Sequence, residues 1–279
     1  MPDKQLVINL TPSEDQGYKP QELIKIRTDR DLKLYARRAI TILWHNAHKI
    51  GLNRDGRYTI NMSELRSQGH KGNEEARAAI KALQSTLLTV RIPKSDREVT
   101  TQMLGPTIED GYSRKDGVLT YRFPTELFDI LKKSSVWGEI EIPVLMHLSS
   151  KYAISLYEHA SQWINLTYKN SEKFSIEEFR QMVGVEEGKY ELFGGLNANI
   201  IKKAIDEINA LSSFVLTATP IKTGKRVTHI RIFWRHKNVE EKKAAYRELT
   251  RHSSGRKARI RGQEEVIEID PQLASPKTL

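Results

Sequence analysis

From Phe174 to Lys237 the chain runs strand, helix, helix, basic hairpin, an order that few folds accept. Phe174-Ser175-Ile176 alternates as a short strand, and Glu177 to Val183 has the composition of a short helix. After a glycine-containing connection, Leu196, Ile200, Ile201, Ala204, Ile205 and Ile208 recur at helical spacing, which predicts a helix over 196–209 with one core-facing stripe. Asn199, Lys202, Lys203 and Asp206 fall on its opposite side. Most such faces are simply solvated. An amide beside two lysines is also what reads DNA, because Asn can bond an adenine edge while Lys reaches guanine or phosphate.

The residues that follow favour the second reading. Phe214 to Ala218 and Val227 to Trp234 are β-rich, and Ile221-Lys222-Thr223-Gly224-Lys225-Arg226 joins them as a tight turn with glycine at its tip. This is the order of a winged helix-turn-helix, with the second helix as reader and the basic turn as wing. An earlier passage repeats the design. Tyr58-Thr59-Ile60 parallels Phe174-Ser175-Ile176, and Glu64-Leu65-Arg66 parallels Glu178-Phe179-Arg180. Ala79, Ile80, Leu83 and Val90 recur at the same mutual spacing as Ala204, Ile205, Ile208 and Val215. Asn73 stands as N-cap of a helix reaching Thr86, whose outer face carries Arg77, Lys81 and Gln84. The expected fold is α+β, two tandem winged-helix domains related by an internal pseudo-repeat.

A longer helix precedes each copy. Leu32, Tyr35, Ala36, Ala39, Leu43 and Ala47 share one face, with Thr28 or Asp31 placed to cap it. Tyr152, Ala153, Leu156, Tyr157, Ala160, Trp163 and Ile164 do the same over 149–166, a periodicity that makes the aromatics core rather than base-stacking groups. Further strands are expected near Leu88–Ile92, Thr101–Leu104 and Val118–Phe123, a short helix over Pro124–Lys133, and a strand leading into a helix over Glu139–Leu148. The domain reading is an N-terminal arm (1–22), a first winged helix (23–135) and a second (136–237) as principal reader. Residues 238–279 form a charged, flexible tail in which Val239–Thr250 can be helical.

The net charge is +10, and between Lys222 and Arg261 the chain carries 14 Lys/Arg against 3 Asp/Glu, so the positive field sits on the second wing and beyond it. With no cysteine, disulfides, thiolate catalysis and Cys-based zinc sites are excluded. No apolar run is long enough to span a bilayer and the start lacks the blocks of a signal peptide, so a cytoplasmic protein is expected. Gly184-Val185-Glu186-Glu187-Gly188-Lys189 imitates a phosphate loop but is one residue short between its glycines, and Tyr190 stands where Ser or Thr would bind magnesium. It reads as a surface turn. His45 and His48 lack a carboxylate to complete a metal site and read as packing or surface residues, while Glu139 and Glu141 read as a solvated pair. A nicking enzyme of the rolling-circle type would need a His-x-His pair, which the chain lacks. No catalytic residue, metal or cofactor is therefore expected.

Three stretches carry a family resemblance: Leu148-Ser149-Ser150-Lys151-Tyr152-Ala153-Ile154-Ser155-Leu156-Tyr157-Glu158, then Phe174-Ser175-Ile176-Glu177-Glu178-Phe179-Arg180, then Ala204-Ile205-Asp206-Glu207-Ile208-Asn209. With Lys222-Thr223-Gly224-Lys225-Arg226 and the strand to Trp234, the chain resembles the replication initiator (Rep) proteins of iteron-containing bacterial plasmids, in wording over 140–237 and in layout before that. The resemblance implies monomers bound to directly repeated origin sites, opening of an adjacent AT-rich region, and recruitment of the host initiator and helicase machinery. It also implies homodimers, joined through the first domain, that bind an inverted repeat and repress their own gene. By position, the second-domain reader would be Asn197, Asn199, Lys202 and Lys203 with Lys225 and Arg226 on its wing, and the first-domain reader Asn73, Arg77 and Lys81. Arg231 and Arg235 are assigned to phosphates. Two other readings remain open: a dedicated winged-helix repressor without a replication role, and a DNA-nicking enzyme. An RNA-binding module is disfavoured because neither copy shows an exposed aromatic sheet.

Overall fold

Apolar residues three and four apart build the helix on which the first half packs. The computed structural model describes residues 11–262 apart from 26, 30, 53–55, 67–70, 92–95, 115, 128–133 and 135. In chain order the first half comprises β1 (Gln16–Pro20), α1 (Gln21–Ile24), β2 (Arg27–Thr28), α2 (Leu34–Ile50) and β3 (Tyr58–Asn61). A 3-10 turn (Met62–Leu65), α3 (Glu74–Ser85), β4 (Leu87–Arg91), β5 (Glu98–Gln102), β6 (Thr107–Asp110) and β7 (Val118–Tyr121) follow. Ala36, Ala39, Leu43 and Ala47 of α2 are fully buried against α3 and an aromatic group in which Trp44 and Phe123 ring centroids lie 5.6 Å apart and Tyr58 and Tyr121 also 5.6 Å. Burying side chains of this size is the main stabilising term for such a core.

The second half runs β8 (Trp137–Glu141), α4 (Ile142–His147), α5 (Lys151–Trp163), β9 (Ser171–Ser175), α6 (Ile176–Val183) and α7 (Phe193–Leu196). A π turn (Asn197–Ile201), α8 (Lys202–Leu211), β10 (Phe214–Thr223), β11 (Arg226–His236), α9 (Val239–Thr250) and α10 (Arg256–Ile260) complete it. Trp163 packs on Phe174 and Trp234 at 5.5 and 5.4 Å, and Tyr157 stacks on Phe214 at 5.7 Å. The aromatics of α5 are core, as their spacing predicts.

The pseudo-repeat is visible at its corners. Glu178 accepts from the Ser175 backbone N–H at 2.7 Å while the Ser175 hydroxyl accepts from that of Glu178 at 3.1 Å, a capping box that starts α6. Glu64 accepts likewise from the Asn61 backbone at 3.2 Å. The sheets then diverge. β9 joins the wing as the third strand beside β11, whereas β3 pairs with β7 in a sheet of order β3-β7-β6, and the first wing strands pair separately as β2-β4-β5. The 3-10 turn in place of a second full helix goes with this rearrangement.

Three sequence expectations are corrected. Gln16–Pro20 is no arm: it pairs antiparallel with β8, Gln16 opposite Glu141 and Pro20 opposite Trp137, and so ties the N-terminal segment to the second half. Gly17 permits this, since a Cβ there would sit 2.7 Å from His45 Nδ1. Nor do Thr28 or Asp31 cap α2. The helix begins after Lys33 with no side-chain cap, and Asp31 instead accepts from Lys151 of α5. The third concerns the tail, which is folded through Gly262: Arg256, only 6% exposed, bonds Glu248, and Ala245 is buried against the body. The short helix over Pro124–Lys133 falls mostly outside the described residues.

Buried polar groups join the two halves, beside apolar contacts such as Trp137 and Met146 against the first core and Leu34 against the second. Glu158 on α5 accepts from Lys19 Nζ on β1 at 2.7 Å and from the Thr41 hydroxyl on α2 at 2.8 Å, with Lys19 and Glu158 5% and 6% exposed. Beside them Arg37 donates to the Ser155 hydroxyl at 2.7 Å and Arg38 to the Leu148 carbonyl. His45 is buried beside Gly17, and His48 packs among Tyr18, Trp44 and Trp137, in line with a packing role.

Burial also pulls the His159 imidazole of α5 down to about 3. In the unfolded chain a histidine titrates at about 6.5, so unfolding takes up a proton at mildly acid pH. The associated stability is complete above that value and is lost as pH falls from there toward the folded one, at up to about 1.4 kcal/mol per unit. His45, His48 and His147 are shifted downward by burial as well. Urea midpoints measured from pH 7.5 to pH 5 should therefore decline, less steeply in His159→Leu. An equal slope in the two proteins would contradict the assignment.

Candidate nucleic-acid interface

Leu196, Ile200, Ile201, Ala204, Ile205, Ile208 and Leu211 lock the reader helix onto the second core. The helix is longer than the sequence spacing indicates and runs from Phe193 to Leu211 through the π turn, where the Lys202 N–H bonds the Asn197 carbonyl five residues back. Leu196 and Ile200 are buried four residues apart, and the three residues between them, Asn197, Ala198 and Asn199, are exposed together. π turns of this kind recur at functional sites. Asn199 donates to the Gly195 carbonyl at 3.1 Å and its oxygen accepts from Lys203 at 3.1 Å, which pre-orients both side chains on the exposed face. Lys202 is exposed beside them.

Buried charges fix the frame of this helix. Glu207 accepts from the Ser149 backbone at 2.8 Å, and burial raises its pKa. Lys237, 8% exposed with its pKa lowered by burial, donates to the carbonyls of Asn209 and Ser212 at the C-terminal end, the latter at 2.7 Å. The amide of Asn209 closes the link to the wing, donating to the Leu216 carbonyl at 2.9 Å and accepting from its N–H at 2.7 Å.

The wing is a hairpin of 10 and 11 residues turning at Gly224, whose φ of 61° is the left-handed conformation a glycine adopts without strain. Lys222, Lys225 and Arg226 are exposed at its tip. Alternation puts Ile230, Ile232 and Trp234 into the core and Arg231, Phe233 and Arg235 outside. Arg231 stands opposite Lys173 of β9, a basic neighbour that the sequence reading missed because the β9–β11 register is a tertiary fact. Arg235 differs from its fellows. Its guanidinium holds both oxygens of Glu241 at 2.7 Å and pulls that carboxyl down to about 2, docking the first turn of α9.

In the first half the expected reader residues are split. Asn73 is buried at 4% exposure, accepting from Arg66 at 2.9 Å and donating to the Arg114 carbonyl at 3.3 Å. Its amide thus braces the start of α3 and faces no solvent. Arg77 is held by Glu109, with Nη2 2.7 Å from Oε1, and its guanidinium lies 3.8 Å over the Tyr112 ring. Lys81 is exposed, with no partner among the described residues. Much of the basic charge after the wing is also internally compensated: Arg256 and Arg259 close on Glu248 at 3.2 and 2.7 Å, and Lys243 on Glu240 at 2.9 Å.

A helix seated by one buried stripe, its amide and lysine face turned outward, beside a basic-tipped hairpin, as the second half presents, defines a winged-helix DNA-reading protein. Over residues 17–161 the chain matches the family described as "Initiator Replication protein, WH1", and over 175–234 that described as "Initiator Rep protein, WH2". The chain belongs to the initiator replication (Rep) protein family. Among solved structures it is similar to that described as "Crystal structure of Pi initiator protein in complex with iteron DNA", with a TM-score of 0.61 and 14% identity over 80% of this chain and 98% of that one. At that identity the likeness establishes the shared fold. No curated protein matches the chain in sequence. Among the described residues no helix is long and apolar enough to cross a membrane.

Proposed function

We propose that this chain initiates plasmid replication by binding directly repeated origin sites on double-stranded DNA, using the face of Asn197, Asn199, Lys202 and Lys203 as principal reader. The observation that carries this reading is the exposed, pre-oriented Asn199–Lys203 pair on a helix whose other side is wholly buried. In this reading Lys225, Arg226 and Arg231, with Lys173 beside them, contact phosphates. Arg77 and Lys81 serve the first winged helix, Asn73 and Arg235 act as braces, and Arg77 must exchange part of its bonding to Glu109 on binding.

The family membership supports the further steps: opening of an adjacent AT-rich segment, recruitment of host initiator and helicase, a monomer–homodimer equilibrium and autorepression. No chemistry is asked of the chain, which acts in the cytoplasm by binding alone. The division into a first unit to residue 135 and a second from 136 is supported by the two separate cores, with β1 crossing between them.

The test is a salt-controlled selection from random duplex DNA, followed by footprinting on the DNA flanking the gene. Direct repeats spanning about two major-groove turns beside an AT-rich stretch are the expected result. Recovery of an inverted repeat alone would favour the dedicated repressor.

A further inference from the structure

Leu192 is the most exposed of the large apolar side chains among the described residues, at 82%. A single exposed leucine is ordinary on a protein surface. This one is distinguished by its position and by the rigidity of its mounting. It occupies the N-cap position of the reader helix, one residue before Phe193, and its carbonyl accepts from the Leu196 N–H at 3.1 Å. The loop leading into it is clamped. Arg180 donates to the carbonyls of Lys189 and Tyr190 at 2.6 and 2.8 Å, Tyr190 takes the left-handed conformation at φ 52°, and Lys151 holds Glu186 at 2.8 Å. A non-glycine residue in that conformation persists only where its surroundings enforce it.

In helix-turn-helix readers the N-terminal residues of the recognition helix lie against the base edges. The rest of the exposed reading face here is polar or small: Asn197, Ala198, Asn199, Lys202 and Lys203. Amides and lysines discriminate adenine and guanine, but the distinguishing major-groove feature of thymine is its C5-methyl group, which apolar contact rewards, and Leu192 offers a larger and longer apolar side chain than Ala198. Taking the DNA-reading role proposed above as its basis, we infer that Leu192 is a specificity-determining residue that packs on the 5-methyl group of one thymine in the major groove, next to the bases read by Asn197 and Asn199.

The experiment uses the full chain and the duplex recovered by selection, with each thymine replaced in turn by uracil, which lacks only that methyl. The native protein should lose about 3- to 5-fold in affinity at one thymine near the reader's N-terminal end, as expected for one methyl group removed from water. Leu192→Ala should bind the unmodified duplex weaker by a similar factor and be indifferent to uracil at that one position, while Leu192→Met keeps the sensitivity. Since Leu192 is exposed, circular dichroism and thermal melting of Leu192→Ala should match the native protein. Equal uracil sensitivity in the native and Leu192→Ala proteins, or a flat scan in the native one, overturns the inference while leaving the reading helix intact. Failure to prefer any duplex sequence overturns both.

Discussion

Glu158→Ala should destabilise the protein by about 3–5 kcal/mol, the cost of leaving a buried charge without its partner. Lys19 Nζ has two side-chain bonds, to Glu158 at 2.7 Å and to the Thr41 hydroxyl at 3.2 Å, and it is almost fully enclosed. Without the carboxylate the ammonium keeps only the longer bond to the Thr41 hydroxyl. The effect should be largest on the coupling between halves, because Lys19 comes from β1, Thr41 from α2 and Glu158 from α5. Denaturant unfolding followed by both tryptophan fluorescence and circular dichroism should then lose coincidence, the two cores melting separately. Replacing the pair together, Lys19→Met with Glu158→Leu, should recover most of the loss, since an apolar pair carries no desolvation cost. A single coincident transition within about 1 kcal/mol of the native protein for Glu158→Ala would contradict this account of the interface.

Lys237→Ala should cost about 2–4 kcal/mol, because charge-assisted bonds to two carbonyls are lost and the Ser212 acceptor stays buried. Those carbonyls, of Asn209 and Ser212, terminate the reader helix, so the loss falls on the element that positions Asn199 and Lys203. Amide exchange should accelerate along α8 more than along α2, and affinity for the cognate duplex should fall while the wing charges remain unaltered. Uniform acceleration through both halves, or none, would assign Lys237 another role.

How far the sequence reveals this molecule depends on the range of the interactions involved. Helical stripes are local, so Leu196 to Ile208 and the aromatics of α5 are legible from spacing alone, as is the alternation of Ile230, Ile232 and Trp234. The π turn is not, because buried residues at Leu196, Ile200 and Ile201 also fit an ordinary helix. The strand β1 is hidden for another reason: its inward residues are Gly17 and Lys19, neither apolar, and the lysine is acceptable there only because Glu158 waits 139 residues away. Asn73 sits at the expected helix start, yet its partner carbonyl is 41 residues distant, so a bracing amide and a reading amide look alike in sequence. The tail reads as a solvated basic run until Arg256 and Arg259 are seen to converge on Glu248, 8 and 11 residues before them.

The central claim, that the Asn199–Lys203 face reads sequence while the wing supplies charge, is tested most directly by measuring affinities for cognate and random duplexes over a range of salt. Lys225→Ala and Arg226→Ala should weaken both duplexes alike and flatten the salt dependence by up to about one unit of slope each. Asn199→Ala and Lys203→Ala should instead lower the ratio of cognate to random affinity, by about 1–3 kcal/mol for a lost base contact. Equal losses on both duplexes for all four substitutions would contradict the claim, leaving a basic surface that binds DNA without reading it.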